Sequence, residues 1–417
     1  MPQTLVEKIM SQKVQRSVVP DEVIEVSVDR VMVHDANAPL FFKYFTMNDT
    51  IFDPDKVVFI TDHFGPPSTP EHSAMVDNVR KFISDYKISH HHEFSGICHH
   101  LMVEEGYVIP GILVIGIDSH ATTYGALGAF ATGMGSTDTA YILKTGKTWL
   151  KVPGTIQVDF MGEQNNNILG TDIALSLLEI LGEDGATYKA LEFGGFGVKN
   201  LGMDARMTVS NFSHEMGAKV GIFPVDDIAA DYLHYRAKEE YDIFAPDEKA
   251  NYERTIEIDL NDIVPKVAIP HSPANVKPVS DVAGKPINQA FLGSCASGRM
   301  EDLKAAASIM EGKKIHDDVR MIVIPVSNRI YSKALEEGLI EVFTKAGAVI
   351  CNPSCGPCAG IDKGILGEGE VCISTSNRNF KGRMGASSSE IYLASAATVA
   401  ASALEGVITA PQITKRT

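Results

Sequence analysis

Short apolar runs rich in valine and isoleucine alternate along this chain with segments of helical spacing, and that alternation constrains its fold more than any other feature. Val57-Val58-Phe59-Ile60, Ile112-Leu113-Val114-Ile115 and Met321-Ile322-Val323-Ile324 have no polar face, so each reads as a strand covered on both sides. Between such runs, Thr171 to Leu181 and Lys333 to Ala346 repeat apolar residues at helical intervals. Strands separated by helices build parallel sheets that the helices cover. The expected class is α/β with mainly parallel sheets.

At 417 residues the chain exceeds one ordinary core and suggests roughly three domains. Pro265, Pro270, Pro273, Pro278 and Pro286 crowd a segment of little periodicity, and a weaker break falls near Pro153-Gly154. The expected division is an α/β domain over 1–150, a second over 151–264, an extended linker over 265–286 and a third α/β domain over 287–417. Hydrophobic residues at 44% and charged residues at 22% exclude disorder. No apolar run reaches the roughly 18 residues of a membrane helix; Val108 to Ile117 comes nearest and is broken by Pro110 and two glycines. Thr4 and Glu7 form a capping box opening a short helix, with no basic stretch leading into an apolar one, so no secretory signal is read there.

The net charge of −16 repels phosphate backbones and disfavours nucleic acid and anionic membrane as partners. An anionic substrate therefore needs a local basic pocket. Six cysteines without an export signal point to a reducing, cytoplasmic setting in which thiols are buried, metal-bound or catalytic.

Two segments concentrate the chemistry: Gly293-Ser294-Cys295-Ala296-Ser297-Gly298-Arg299 and Pro353-Ser354-Cys355-Gly356-Pro357-Cys358. Each follows a strand-like run, Ala290-Phe291-Leu292 or Ala348-Val349-Ile350, where loops gather at the carboxyl edge of a parallel sheet. Thiolates are soft ligands suited to zinc or an iron–sulfur cluster, and glycine and proline let backbone approach a bulky centre. A lone C-x-x-C also fits a zinc knuckle or a redox pair. A four-thiolate zinc site would need Cys351, which closes a strand run and reads as a strand residue. Three thiolates are one short of a closed tetrahedral site, and an open coordination position is what catalysis uses.

Asp62-His63 follows the strand Val57 to Ile60, and Asp118-Ser119-His120 follows Ile112 to Ile115 and runs into Gly125, Gly128, Gly133 and Gly135. Gly96-Ile97-Cys98-His99 precedes a helical stretch. An aspartate beside a histidine orients the ring and raises its basicity, which suits proton transfer near neutral pH. A loop histidine with satisfied hydrogen bonds is the bland alternative for each, and His90-His91-His92 reads as a solvated loop. Ser376-Asn377-Arg378-Asn379-Phe380-Lys381-Gly382-Arg383 places two arginines and a lysine around a turn, a basic cradle for carboxylates in an acidic protein. Tyr392 to Leu404 beyond it is a small-residue helical stretch.

These residues together resemble the aconitase superfamily, in the form of the 3-isopropylmalate dehydratase and homoaconitase large subunits, over essentially the whole chain. The motifs carrying the resemblance are Asp118-Ser119-His120 with its glycines, the Cys295 segment, Cys355-Gly356-Pro357-Cys358, Asn377-Arg378-Asn379-Phe380 with Arg383, and Asn211-Phe212-Ser213-His214-Glu215-Met216-Gly217. The resemblance implies three α/β domains around one [4Fe-4S] cluster, held by Cys295, Cys355 and Cys358 with one iron open. It implies that Asp62 and His63 protonate the departing hydroxyl of a small 2-hydroxy di- or tricarboxylate. His99, Asp118, His120 and Glu215 would line the cluster, and Asn377 would sit against it. Arg378 and Arg383 would grip substrate carboxylates, with Ser119, Asn211 and Arg299 also substrate contacts. The mobile swivel domain, absent from this chain, would come from a separate small subunit of roughly 160 residues, one typical domain.

Four positions depart from the family's usual pattern: Ala296-Ser297, Thr122, His100 and Ala386-Ser387-Ser388-Ser389. None is a cluster ligand; they bear on the substrate. The expected reaction is dehydration and rehydration of 3-isopropylmalate, with homoaconitate, dimethylmalate or citramalate as alternatives. A cluster-bearing regulatory RNA-binding protein is the reading from a different class, and the net charge argues against it.

Overall fold

This computed structural model of the chain describes residues 1–46 and 48–413. They form two compact units: Met1–Phe94, Cys98–Met161 and Asp184–Ile258 make the first, and Ser95–Ile97, Gly162–Glu183 and Asp259–Thr417 the second.

The first unit opens on the helix Leu5–Val14, whose capping box is formed by Thr4 and Glu7. An antiparallel ribbon joins β1 (Val23–Ser27) to β7 (Lys147–Lys151). A five-stranded sheet follows, from β2 (Arg30–His34), β3 (Val57–Thr61), β4 (His90–Glu93), β5 (Leu113–Gly116) and β6 (Phe130–Gly133), all parallel, in the order β4-β3-β2-β5-β6. Alternate residues go to opposite faces of a strand. Accordingly Val31, Val33, Val57, Phe59, Leu113 and Ile115 pack into one apolar cluster, while Met32, Val58, Ile60 and Val114 pack into another with Cys98, Leu101 and Met102. Burial on both faces is why these runs carry no polar alternation. Each such Val, Ile or Phe stabilises the fold by about 1.5–3 kcal/mol relative to exposure. The chain lays β3 and β4 to one side of β2, then crosses to lay β5 and β6 on the other. The ends of β2 and β5 therefore flank a switch point, the place where open α/β sheets open a crevice.

A four-stranded sheet in the same unit holds β8 (Thr155–Met161), β9 (Ala190–Gly194), β10 (Val220–Ile222) and β11 (Arg254–Asp259), in the order β10-β9-β8-β11. The five- and four-stranded sheets lie in the stretches that the sequence assigns to domains 1–150 and 151–264.

The second unit holds a seven-stranded sheet in the order β13-β12-β18-β17-β14-β15-β16. Its strands are β12 (Lys266–Ala268), β13 (Val276–Pro278), β14 (Gln289–Leu292), β15 (Arg320–Val323), β16 (Val349–Ile350), β17 (Val371–Ser374) and β18 (Glu390–Ala394). The last five run parallel, with a second switch point between β14 and β17. Between Pro265 and Pro286 the chain forms the antiparallel pair β12 and β13. Pro270 and Pro273 sit in the turn and Pro278 ends the edge strand, so the ladder tolerates them.

Three local expectations are corrected. The helix expected over Lys333 to Ala346 is two helices, Asn328–Glu336 and Leu339–Ala346, because Gly338 between them takes φ +78. A left-handed glycine ends a helix at that point. The helix expected from Tyr392 begins at Ala396, since Glu390–Ala394 is a strand held between β17 and β12. His90-His91-His92, read as a loop, is the half-buried edge strand β4, and His92 Nε2 lies 2.8 Å from the Tyr107 hydroxyl.

Candidate functional site

In the first unit the chemistry gathers at the carboxyl ends of β2, β3 and β5. Asp62 and His63 follow β3 directly, and Asp62 Oδ1 lies 2.7 Å from His63 Nδ1. The other oxygen, Asp62 Oδ2, accepts the backbone N–H of Cys98 at 2.7 Å, at the start of the helix Cys98–Glu104. Burial alone would raise the Asp62 pKa. The charge and hydrogen bond of His63, with His34 and the Cys98 amide, outweigh it and hold the carboxyl at about 2. Asp62 is thus ionised, fixes a proton on His63 Nδ1 and leaves Nε2 as the nitrogen that can exchange one.

Asp118 caps the 3-10 helix Ser119–Leu127, accepting the His120 N–H at 2.9 Å, and its Oδ1 also lies 2.8 Å from His99 Nε2. Burial pushes its pKa up, but hydrogen bonds from His120 and His99 prevail, so the carboxyl stays well below the usual range. His120 turns Nε2 to Glu215 Oε1 at 2.9 Å, and His99 Nδ1 lies 3.2 Å from the Tyr124 hydroxyl. His99, Asp118, His120 and Glu215 therefore form one connected network within this unit. Asn211 is buried, and its Nδ2 donates to Thr123 Oγ1 at 2.9 Å. Ser119 is half-buried at the start of the same 3-10 helix. Of the departing positions, His100 pairs with Glu104 at 3.3 Å one helical turn on, and Thr122 donates to the Asn211 carbonyl at 3.2 Å.

Two residues here went unremarked in the sequence, His34 and Asp35, at the end of β2. Asp35 accepts backbone N–H groups from Asp62 at 3.3 Å, His63 at 3.1 Å and Phe64 at 2.8 Å. His34 stacks on His63 with ring centroids 4.2 Å apart. The available signal was that Val33-His34-Asp35 sets a histidine and an aspartate at another strand end, in the reverse order of Asp62-His63.

In the second unit Cys295 follows β14, Cys355 and Cys358 follow β16, and Asn377 follows β17. All three cysteines are buried and none is in a disulfide. Asn377 Nδ2 donates to Cys295 Sγ at 3.2 Å, and its Oδ1 lies 4.0 Å from Cys358 Sγ. Thr375 ties the loops together, because its hydroxyl accepts the Gly293 N–H and donates to the Gly293 carbonyl, both at 2.8 Å. Ser294, just before Cys295, holds φ +79, a strained conformation of the kind that clusters at functional sites. Gly356, between the other two cysteines, has φ +58, which a side chain would disfavour. Arg299 is fully buried and donates to the carbonyls of Cys295 at 2.7 Å and Ala296 at 3.2 Å, a fixed cation behind the loop. Ser354 binds Asp362 at 3.0 Å and Lys363 at 2.9 Å, anchoring the other loop. Arg378 and Arg383 are half-buried on the turn after β17. Three buried thiols, one accepting an amide N–H and backed by a buried guanidinium, fit a thiolate-bound metal centre.

The sequence profile of the Aconitase family (aconitate hydratase) matches residues 7–286 and 276–406. The chain belongs to that family. It is 48% identical to the methanogen homoaconitase large subunit of Methanocaldococcus jannaschii, covering 97% of this chain and 99% of that one. It is 45% identical to the 3-isopropylmalate dehydratase large subunit of Halothermothrix orenii, and 44% identical to 3-isopropylmalate dehydratase large subunit 1 of Methanopyrus kandleri. Both comparisons cover 99% of either chain. Aconitase X of Thermococcus kodakaraensis in its holo-form shares the fold, with TM-score 0.50 and 12% identity over 89% of each chain. The chain is a hydro-lyase of the aconitase type, and that family implies a [4Fe-4S] cluster. Among the described residues no helix is long and apolar enough to cross a membrane.

Proposed function

We propose that this chain is the cluster-bearing large subunit of an enzyme that removes water from a 2-hydroxy diacid and returns it one carbon along. The observation that carries the reading is Asn377, whose amide reaches the sulfurs of two of the three loop cysteines. Cys295, Cys355 and Cys358 would hold the cluster through three thiolates and leave one iron open. When bound, such a cluster supplies a Lewis acid to the hydroxyl and a carboxylate of the substrate. His63 gives the departing hydroxyl a proton from Nε2 as an imidazolium, and the ionised Asp62 at Nδ1 orients the ring and stabilises that cation. The His99–Asp118 and His120–Glu215 pairs hold hydrogen-bonding groups in fixed orientations, which lowers reorganisation as charge develops. Ser119 and Asn211 add polar contacts on that side.

The guanidinium forks of Arg378 and Arg383 match carboxylates. Arg383→Lys should raise KM about tenfold or more with kcat little changed, because an ammonium cannot reproduce a bidentate grip. A steady-state KM equal to that of the parent enzyme would remove Arg383 from the substrate site.

The relatives are named large subunits, which supports a separate small subunit that brings the base for the carbon-bound proton. Six cysteines with no disulfide among the described residues support a reducing, cytoplasmic setting. 3-Isopropylmalate is the first substrate reading, supported by the relatives at 44–45% identity. Homoaconitate is the second, favoured by the relative at 48%. The test is anaerobic loading with iron and sulfide, followed by assay of the chain with and without its small subunit on 3-isopropylmalate, homoaconitate, dimethylmalate and citramalate. Turnover of one diacid by the pair, and of none by this chain alone, is expected. An iron-loaded pair inert on all four would overturn the reading.

A further inference from the structure

His34 is buried, yet its Nδ1 has no hydrogen-bond partner among the described residues. Its other nitrogen, Nε2, lies 3.3 Å from Asn37 Nδ2, and that amide nitrogen is also 3.3 Å from the Ile117 carbonyl. Asn37 is therefore the donor, Nε2 accepts, and the single proton of a neutral ring sits on Nδ1. Leaving that buried atom without a partner costs about 1–3 kcal/mol, so the ring's place here is not explained by its own hydrogen bonds.

The groups facing His34 are His63, Asp118, Asp62 and Asp35. Burial and then the His63 charge lower its pKa to about 4, against the opposing pull of the three carboxylates. The imidazole is thus neutral across the physiological range. The two rings are 18° from parallel. Parallel rings direct their in-plane lone pairs side by side and not to a common point, which disfavours a metal ion shared between them.

Asp35 acts on the backbone of the same turn. Its carboxylate gathers three successive N–H groups, from residues 62 to 64, and lies 3.6 Å from His63 Nδ1. Carboxylate clamps of this kind fix a turn with charge-assisted hydrogen bonds. We propose that His34 and Asp35 are a positioning pair for His63, the carboxylate fixing the backbone of its turn and the neutral imidazole fixing the plane of its ring. Neither touches the reacting atoms. The proposal rests on the reading of His63 as proton donor.

The test uses three variants of the iron-loaded enzyme paired with its small subunit, assayed on 3-isopropylmalate and homoaconitate. His34→Ala removes the stacked ring and should lower kcat about 10- to 100-fold with KM within about threefold, the range of losses seen when a general acid is misplaced. His34→Phe keeps a flat ring without nitrogens and should return kcat to within about threefold of the parent. A kcat unchanged in His34→Ala, or a KM rise with kcat intact in both variants, overturns the proposal. His63→Ala serves as the separate check: normal turnover there defeats the donor reading itself, while its inactivity beside a normal His34→Ala defeats only the positioning pair. A reading independent of turnover comes from 15N-histidine NMR. The His63 ring resonances should be narrow in the parent and in His34→Phe, and broadened by exchange between ring orientations in His34→Ala. Narrow His63 ring resonances in His34→Ala count against the proposal even if both substrates prove inert.

Discussion

Cys358→Ser abolishes cluster assembly: after anaerobic loading, the variant should carry little iron and sulfide, lack the broad visible absorption of the parent and be inactive. The reason lies in ligand chemistry. A serine hydroxyl stays protonated where a thiol gives up its proton, and its hard oxygen is a poor match for iron bridged by sulfide. Cys295→Ser and Cys355→Ser should behave alike, since a three-thiolate site has no spare ligand. Cys351→Ser and Cys98→Ser should keep full iron content. Cys351 is half-buried just beyond β16, where burial raises its thiol pKa, and Cys98 packs among Met32, Val58 and Leu101. Cys372 is likewise inert, pushed up to about 12 by burial. Parent-like iron content in Cys358→Ser would sink the ligand assignment.

His63→Ala should leave iron content intact and lower kcat by about a hundredfold or more, the usual scale for a general acid. That factor corresponds to about 2.7 kcal/mol of barrier. The geometry isolates the effect. Asp62 keeps its bond to the Cys98 amide when the imidazole is gone, so the turn and the helix start survive. What remains at the site is the ionised carboxylate of Asp62, which has no proton to donate. Single-turnover rates measured on the paired, loaded enzyme decide the matter, and a rate equal to the parent's would move the donor role to another residue.

Much of the scaffold was legible because double-sided burial leaves an unambiguous mark. Val57 to Ile60 and Met321 to Ile324 had to be strands of a covered sheet, and the strands Val57–Thr61 and Arg320–Val323 stand there. The break at Gly338 was masked because apolar spacing continues across it, and only the left-handed φ divides the two helices. Tyr392 to Ala394 looked helical beside the small residues that follow, yet tertiary pairing with β17 and β12 makes them strand. Strand ends bearing histidine or cysteine were visible one at a time. Which of them are neighbours depends on strand order, which has no local signal. Asn377 lies far from Cys295 in the chain, and the two loops meet because β17 pairs with β14. His34 and Asp35 escaped for the same reason: the pairing of β2 with β3 is what brings them to Asp62 and His63.

The order of the five-stranded sheet also bears on how such an enzyme can change. His34, Asp35, Asp62, His63 and Asp118 sit at or just after the ends of strands whose spacing is set by backbone pairing at about 4.8 Å, whatever the loops beyond them do. Mutations in those loops can reshape what is recognised while the carboxylates and imidazoles at the strand ends keep their separations. Chemistry is inherited with the sheet, and specificity drifts with the loops. Relatives that differ in their named substrates can thus stay nearly equidistant from this chain, at 44 to 48% identity. Selection for a new diacid would be expected to leave its first traces outside the strands.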